Sequence, residues 1–349
     1  MADSIAPIRT PSAWTGSELR ERTDWIWTLR PDELEDLERA LAAVRRSGLA
    51  ACGFGAADFP LSVLGERLEA VRHELVAGRG FVLLRGLDVA DRPFEDVSAL
   101  YWGLGCHLGT VVSQNAKGMK LERIEDRGVL KPGATPDPNL RSYVTNERQY
   151  AHSDQSDVVS LMCVEKAMHG GESVVVSAHA IYNRIARTRP ELLELLRRGF
   201  FHDLRGEVQS GDLNATSDVR VPVFAEVDGV FRSWFHGKKI RHGQRKRGMP
   251  LSGLEAEAVE MVEGLAEDPE LRLDMTLERG DIQLLNNFSM LHYRMGFEDG
   301  GGRKRLMLRL WIELDRFGPM DPAMARWARC GVDRQDWAFA RPHVALGEV

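Results

Sequence analysis

The run Arg305-Leu306-Met307-Leu308-Arg309-Leu310-Trp311-Ile312 is apolar and β-prone except for two arginines four residues apart. Such a run reads as a strand buried in a sheet, and side chains four apart on a strand point to one face. A guanidinium is almost never buried unpaired, so that face must meet an anion. The fork of an arginine fits a carboxylate with two parallel hydrogen bonds. Any fold containing this strand therefore has to leave a polar pocket against one side of it. A chain of 349 residues can bury a core large enough to surround that pocket.

The rest of the pattern says what surrounds it. Strands are expected at 80–86, 158–164, 173–177, 221–227, 230–235 and 281–286, with Asp228-Gly229 as a two-residue hairpin turn. Apolar residues at helical spacing predict helices over 31–47 and 61–77, a third beginning near Pro93, and one over 180–198 broken at Pro190. Ser252-Gly253-Leu254-Glu255 is a capping box that opens another, and the proline-containing stretch 131–139 reads as a surface loop. The expected fold is mainly β with helical additions, built on a double-stranded β-helix (jelly roll) core. The expected organisation is a helical region, 1–78, packed on the core; a jelly-roll domain, 79–316, with lid insertions; and a C-terminal extension, 317–349.

Composition removes several function classes. The chain is 43% hydrophobic and 28% charged, and it has no apolar run near the roughly 18 residues a membrane helix needs, so no membrane span is expected. The N-terminus has neither the basic nor the apolar region of a secretory signal, and the default compartment is the cytoplasm. A net charge of −6 gives no general drive toward nucleic acid, and no nucleic-acid partner is expected. Four scattered cysteines, Cys52, Cys106, Cys163 and Cys330, suggest neither disulfides nor a zinc site. A homo-oligomer is left open.

The chemistry begins at Tyr150-Ala151-His152-Ser153-Asp154, where an extended backbone would turn His152 and Asp154 to one face and one ion. A second histidine would complete a two-histidine, one-carboxylate facial triad, which leaves three positions open on iron(II). His292 follows the apolar strand and turn 280–287 and is the candidate. Asn146 and Arg148 precede His152 by even numbers of residues and are expected on the same strand face, toward substrate. Gln114 and Asn115, after a short Val-Val strand, are further candidates for substrate contact, as is Asp157 just past the metal pair. The plain alternatives are a turn for the first two and a solvated acid for Asp157. The basic stretch 232–247 reads first as a solvated loop and second as a lid over an anionic substrate.

These residues together resemble the TauD/TfdA family of taurine dioxygenase-like, iron(II)- and 2-oxoglutarate-dependent oxygenases. The resemblance rests on His152 and Asp154 as the HxD motif, on His292 in Asn287-Phe288-Ser289-Met290-Leu291-His292-Tyr293, and on Arg305 and Arg309 as the RxxxR strand. Gly170-Gly171-Glu172-Ser173 matches the segment whose hydroxyl binds the distal carboxylate of 2-oxoglutarate, with serine where threonine is familiar. It covers roughly Gly80 to Ile312. The resemblance implies Fe(II) on His152, Asp154 and His292, 2-oxoglutarate as co-substrate and O2 as oxidant. It sets Ser173 and Arg305 against the far carboxylate, with Arg309 in the same pocket beside the co-substrate or facing an acidic group of the substrate. Retention of Asp154 fits a hydroxylase or desaturase, with hydroxylation of an unactivated C–H bond in a small, carboxylate-bearing substrate as the first expectation, and release of succinate and CO2. Two other readings stand beside it: a metal-dependent hydrolase using the same ligands, and a jelly roll that binds a small molecule without turnover.

Overall fold

In a computed structural model, residues 6–130, 141–208 and 211–329 are described; the loop expected at 131–139, Cys330 and His343 lie outside them. The strands are β1 (Ile26–Thr28), β2 (Phe81–Arg85), β3 (Thr110–Val112), β4 (Leu121–Ile124), β5 (Val158–Glu165), β6 (His169–Gly170), β7 (Ser173–Ser177), β8 (Phe224–Val227), β9 (Val230–Ser233), β10 (Arg272–Met275), β11 (Ile282–Asn286), β12 (Met290–Arg294), β13 (Phe297–Glu298) and β14 (Leu306–Glu313). The helices are α1 (Gly16–Leu19), α2 (Pro31–Ser47), α3 (Leu64–Val76), α4 (Phe94–Leu108), α5 (Ala178–Thr188), α6 (Glu191–Arg198), α7 (Gly237–Lys246), α8 (Gly253–Glu267) and α9 (Pro322–Trp327).

A major sheet runs β1-β2-β11-β5-β14-β3, with β4 also on β14, and a minor sheet runs β10-β7-β12. Alternation along the strands decides what lies between them. On β14, Leu308, Leu310 and Ile312 join the cluster that contains Leu37, Leu68 and Leu100 of α2, α3 and α4. The opposite face carries Met307 and Trp311, which pack with Val175 of β7 and Met290 of β12. The minor sheet is sided in the same way. Val174, Val176, Leu291 and Tyr293 face helices α5, α6 and α8 through Ile181, Leu193 and Val259. This turns Ser173, His292 and Arg294 inward. Each fully buried leucine or valine contributes about 1.5–3 kcal/mol, so both helical layers press the sheets together around an interior that is apolar at Met307, Trp311, Val175 and Met290 and polar at Ser173, His292 and Arg294. The result is a jelly-roll core with helical additions.

Local signals account for the ends of several elements. Pro190 separates α5 from α6, Ser252 and Glu255 cap α8 reciprocally, and Asp228 and Gly229 take φ of 51° and 74° between β8 and β9, as a type I′ hairpin turn requires. Two expectations need correction. Residues 145–151 form no strand, and pairing resumes at His152, which bridges singly to His236 and to His292. The basic stretch 232–247 is not a solvated loop: Arg232 and Lys239 are buried, and most of the stretch is helix α7. The N-terminal region also contributes a strand, since β1 pairs in parallel with β2. Among the described residues, no helix is long and apolar enough to cross a membrane.

Candidate metal centre and co-substrate slot

His292 is on the inner face of β12, and its backbone exchanges hydrogen bonds with that of His152 at 2.9 and 3.1 Å. This bridge brings the two rings to 4.5 Å between centroids. Asp154 follows two residues later, its backbone fixed by Asn287 Oδ1, which accepts from its N–H at 2.9 Å, and by Trp234 Nε1, which donates to its carbonyl at 3.0 Å. The side-chain carboxylate lies 3.7 Å from Nε2 of each histidine, and one ligand atom from each of the three residues falls within 4.8 Å of the others. That is a converging two-histidine, one-carboxylate set.

Protonation states agree with such a role. Burial drives His152 down from its usual range and His292 down to about 3, so both imidazoles are neutral. Burial opposes ionisation of Asp154, but the Arg309 guanidinium beside it and the hydrogen bond from Trp311 favour the carboxylate, and the carboxyl is held well below its usual range. Neutral imidazoles and an ionised carboxylate are the forms a divalent metal binds. The ring of His152 is oriented through Nδ1, 2.8 Å from the carbonyl of Tyr150, leaving Nε2 toward the centre. Asp154 Oδ2 accepts from Trp311 Nε1 at 2.8 Å and Arg309 Nη1 at 3.3 Å, both from β14.

A slot leads from His292 and Arg309 to Ser173, Arg294 and Arg305, with Ile124, Leu161 and Met307 along its walls. At its far end Arg305 is 6% and Arg294 5% exposed. Nη1 of Arg305, and Nε and Nη1 of Arg294, are buried without a hydrogen-bond partner among the described residues. Burial lowers the pKa of Arg305 to about 10 and, aided by Arg305, that of Arg294 to about 9. Two adjoining buried cations with free donors fit a carboxylate. Glycine makes the approach feasible: Gly171 has φ of 79°, and a Cβ there would stand 3.0 Å from Arg305 Nε. The hydroxyl of Ser173 donates to Gln283 Oε1 at 3.0 Å beside this end of the slot. Arg303 and Lys304 are exposed.

The remaining candidates fall elsewhere. Asn146 and Arg148 are exposed, because the chain before His152 is not a strand; Arg148 pairs with Glu267 and lies over the ring of Tyr293. Asp157 is neither solvated nor at the pocket: it is fully buried, accepting from Arg329 Nε at 2.7 Å and the Leu314 N–H at 2.8 Å. Asn115 caps a turn through the N–H groups of Lys117 and Met119. Gln114 is buried behind Arg309, accepting from its Nε at 2.6 Å and donating to its carbonyl at 2.8 Å, so it orients that arginine.

Sequence reasoning missed Arg294, although alternation from His292 puts position 294 on the same face. It also missed Arg141 and Arg205, which with His236 and Lys239 line a cavity beside His152 and Asp154. No local pattern marked those two.

The chain matches the model of the "Taurine catabolism dioxygenase TauD, TfdA family" over residues 44–311, beginning well before Gly80. It is similar to FR-33289 synthase of Streptomyces rubellomurinus, 30% identical over 328 residues that cover 92% of this chain and 95% of that one. A taurine hydroxylase-like protein of Stachybotrys chartarum is 27% identical over 322 residues, covering 87% and 78%. In fold it is similar to asparagine oxygenase in complex with Fe(II), 3-hydroxyasparagine and succinate, with a TM-score of 0.63, 14% identity and coverage of 83% of this chain and 93% of that one. The non-heme iron oxygenase OrfP in complex with Fe and alpha-ketoglutaric acid gives a TM-score of 0.58, 13% identity and coverage of 83% and 94%. The chain thus belongs to the TauD/TfdA family and is an Fe(II)- and 2-oxoglutarate-dependent dioxygenase that uses O2.

Proposed function

We propose that His152, Asp154 and His292 hold the Fe(II), that Arg305, Arg294 and Ser173 receive the far carboxylate of 2-oxoglutarate, and that the enzyme hydroxylates an unactivated C–H bond of a small anionic substrate, releasing succinate and CO2. The observation that carries this reading is a slot with an ionised carboxylate between two neutral imidazoles at one end and two anion-free buried arginines at the other. A hydrolase built on the same ligands leaves those arginines without a counter-ion. Relatives support a carboxylate-bearing substrate: asparagine oxygenase is complexed with 3-hydroxyasparagine, and OrfP with (3S)-hydroxy-L-Arg, both small and both carrying a carboxylate.

Iron with 2-oxoglutarate would supply activation of O2 and of the C–H bond. The chain's own residues set the stage. Trp311 and Arg309 fix the carboxylate of Asp154, and Gln114 fixes Arg309 in turn. Ile124, Leu161, Leu277 and Met307 keep water from the slot, which strengthens the ion pair to be made at its end. Substrate would enter from the cavity on the His152 and Asp154 side, which shares Tyr143, Gln149 and Arg309 with the slot.

The test is succinate release from 2-oxoglutarate with Fe(II) and O2, in wild type and in His152→Ala, Asp154→Ala and His292→Ala. Turnover is expected to fall below detection in each variant while the melting temperature stays within a few degrees of the metal-free wild type. Near-normal turnover in any one would remove that residue from the metal set.

A further inference from the structure

The cavity beside His152 and Asp154 holds more positive charge than its acids can balance. Arg309 is paired with Asp154, Arg141 with Glu207, and Asp203 with Lys246. Arg205 and Lys239 are left over: among the described residues neither makes an ion pair. Lys239 is 6% exposed and donates only to the neutral Gln155 Oε1, with the ring of Trp234 at 6.0 Å. Arg205 lies with Nη2 3.2 Å from Nε2 of His236, and its Nε is buried without a partner. Burial pushes Arg205 down to about 10 and Lys239 well below its usual range, as expected for cations without an anion. Arg205 and Gly206 take φ of 53° and 71° in a turn closed by the Glu207 N–H on the Leu204 carbonyl at 2.9 Å, and the Arg205 N–H is held by Asp203 Oδ1 at 2.7 Å, so the turn fixes the guanidinium toward the cavity. A buried guanidinium nitrogen without a partner, at a residue that faces a cavity and has no counter-ion, calls for a ligand.

We infer that Arg205 and Lys239 form a receptor for a doubly charged oxyanion of the phosphoryl class carried by the substrate. Two surplus cations match two negative charges, whereas a monoanion would leave one buried charge uncompensated. The inference rests on the proposed function, since it makes this cavity the substrate side of the metal centre. It differs from a site on the RxxxR strand, because Arg309 is already engaged by Asp154 and Gln114. Arg205 lies in the segment between α6 and β8, and Lys239 on α7, so both come from the insertion between the metal ligands. Gln155 couples the receptor to the fold by accepting from Lys239 and donating its Nε2 to the carbonyl of Trp327 at 3.0 Å.

The test compares two probes of similar size and different charge, phenyl phosphate and benzenesulfonate. Each is titrated calorimetrically at pH 8 into protein loaded with Fe(II) and 2-oxoglutarate in the absence of oxygen. Phenyl phosphate is expected to bind at least tenfold more tightly than benzenesulfonate. Arg205→Gln and Lys239→Gln should each weaken phenyl phosphate at least tenfold, while Arg303→Gln leaves it unchanged. If one variant proves unstable by its melting temperature, the other still decides. Equal affinity for both probes, or phosphate binding that survives both substitutions, would overturn the inference. So would displacement of phenyl phosphate by excess 2-oxoglutarate, which would place it in the co-substrate slot. Binding of 2-oxoglutarate, read from the visible charge-transfer band of its iron complex, reports separately on the proposed function. Loss of that band in Arg305→Ala and His292→Ala with phosphate binding intact is expected, and a band that survives both would overturn the proposed metal and 2-oxoglutarate residues while leaving the receptor standing.

Discussion

Arg309 could serve the co-substrate, the substrate or the metal ligand, and its hydrogen bonds favour the last. Its guanidinium donates to Asp154 Oδ2 and to Gln114 Oε1 and lies between the rings of Tyr143 and Trp311, at 5.2 and 5.1 Å. Partners of metal ligands typically govern 10–100-fold of affinity, so Arg309→Gln is expected to weaken Fe(II) binding by roughly that factor in competition with a chelator. Unchanged metal affinity together with a raised substrate requirement would return Arg309 to the role of substrate anchor. At the far end of the slot, losing a charge-assisted hydrogen bond costs about 1.5–3 kcal/mol, more than tenfold in binding. Arg305→Ala and Arg294→Gln should each raise the 2-oxoglutarate requirement at least that much, and Arg303→Ala should not, as steady-state kinetics would reveal. His152 and Asp154 were readable as a pair because alternate residues of an extended backbone share a face, and Arg305 and Arg309 because residues four apart do so at β14. Arg294 was readable by the same rule. Arg205 was not, because Gly206 announces the turn that carries it but not which distant residues that turn will face.

Elements whose ends are set by local chemistry were legible, and those set by distant partners were not. Pro190, the capping box at Ser252 and the Asp228-Gly229 turn act within a few residues. The segment 145–151 looked like strand, yet its carbonyls at Thr145 and Glu147 accept from the side chain of Arg294 rather than from a strand partner, and only scattered backbone bonds, from Gln149 N–H to Arg294 and from Phe297 N–H to Asn146, join it to the sheet. Asp157 was misjudged for a comparable reason, since its main partner, Arg329, is 172 residues away. That pair ties the segment after α9 to the core and has a definite pH signature. Burial raises Asp157 to about 6 even though Arg329 opposes the rise. A raised folded pKa means the native state holds the proton longer, so the contribution of Asp157 is most favourable below about pH 4 and is lost as pH rises through about 6. Removing Arg329 must steepen that loss. Breaking a buried pair from one side costs about 3–5 kcal/mol when the stranded group is charged. Arg329→Ala should therefore lower the melting temperature more at pH 8 than at pH 5, in parallel thermal scans. An equal loss at both values would mean that Arg329 acts by packing alone.

At the scale of the whole molecule, the proposed metal ligands belong to different layers. His292 is on the minor sheet and His152 is bridged to it, whereas Asp154 is gripped by Trp311 and Arg309 from the major sheet. An ion between them would join the sheets at the polar end of the space between them, beside the apolar cluster of Val175, Met290, Met307 and Trp311. Binding to the native state alone stabilises by RT ln(1 + [L]/Kd), about 2.7 kcal/mol at a hundredfold excess over Kd. For a chain of this size that is a rise of a few degrees or more in melting temperature. Mn(II), which favours oxygen and imidazole ligands and does not oxidise readily, should raise the wild-type melting temperature by that amount, and a chelator should reverse it. Asp154→Ala should remove most of the rise, because it severs the only proposed ligand held by β14. Arg305→Ala should keep the rise from the metal and lose any further rise from 2-oxoglutarate, since its contact lies at the far end of the slot. If Asp154→Ala retained the full metal-dependent shift, the ion would be seated on the minor sheet alone, and the two sheets would owe their spacing to side-chain packing rather than to the metal.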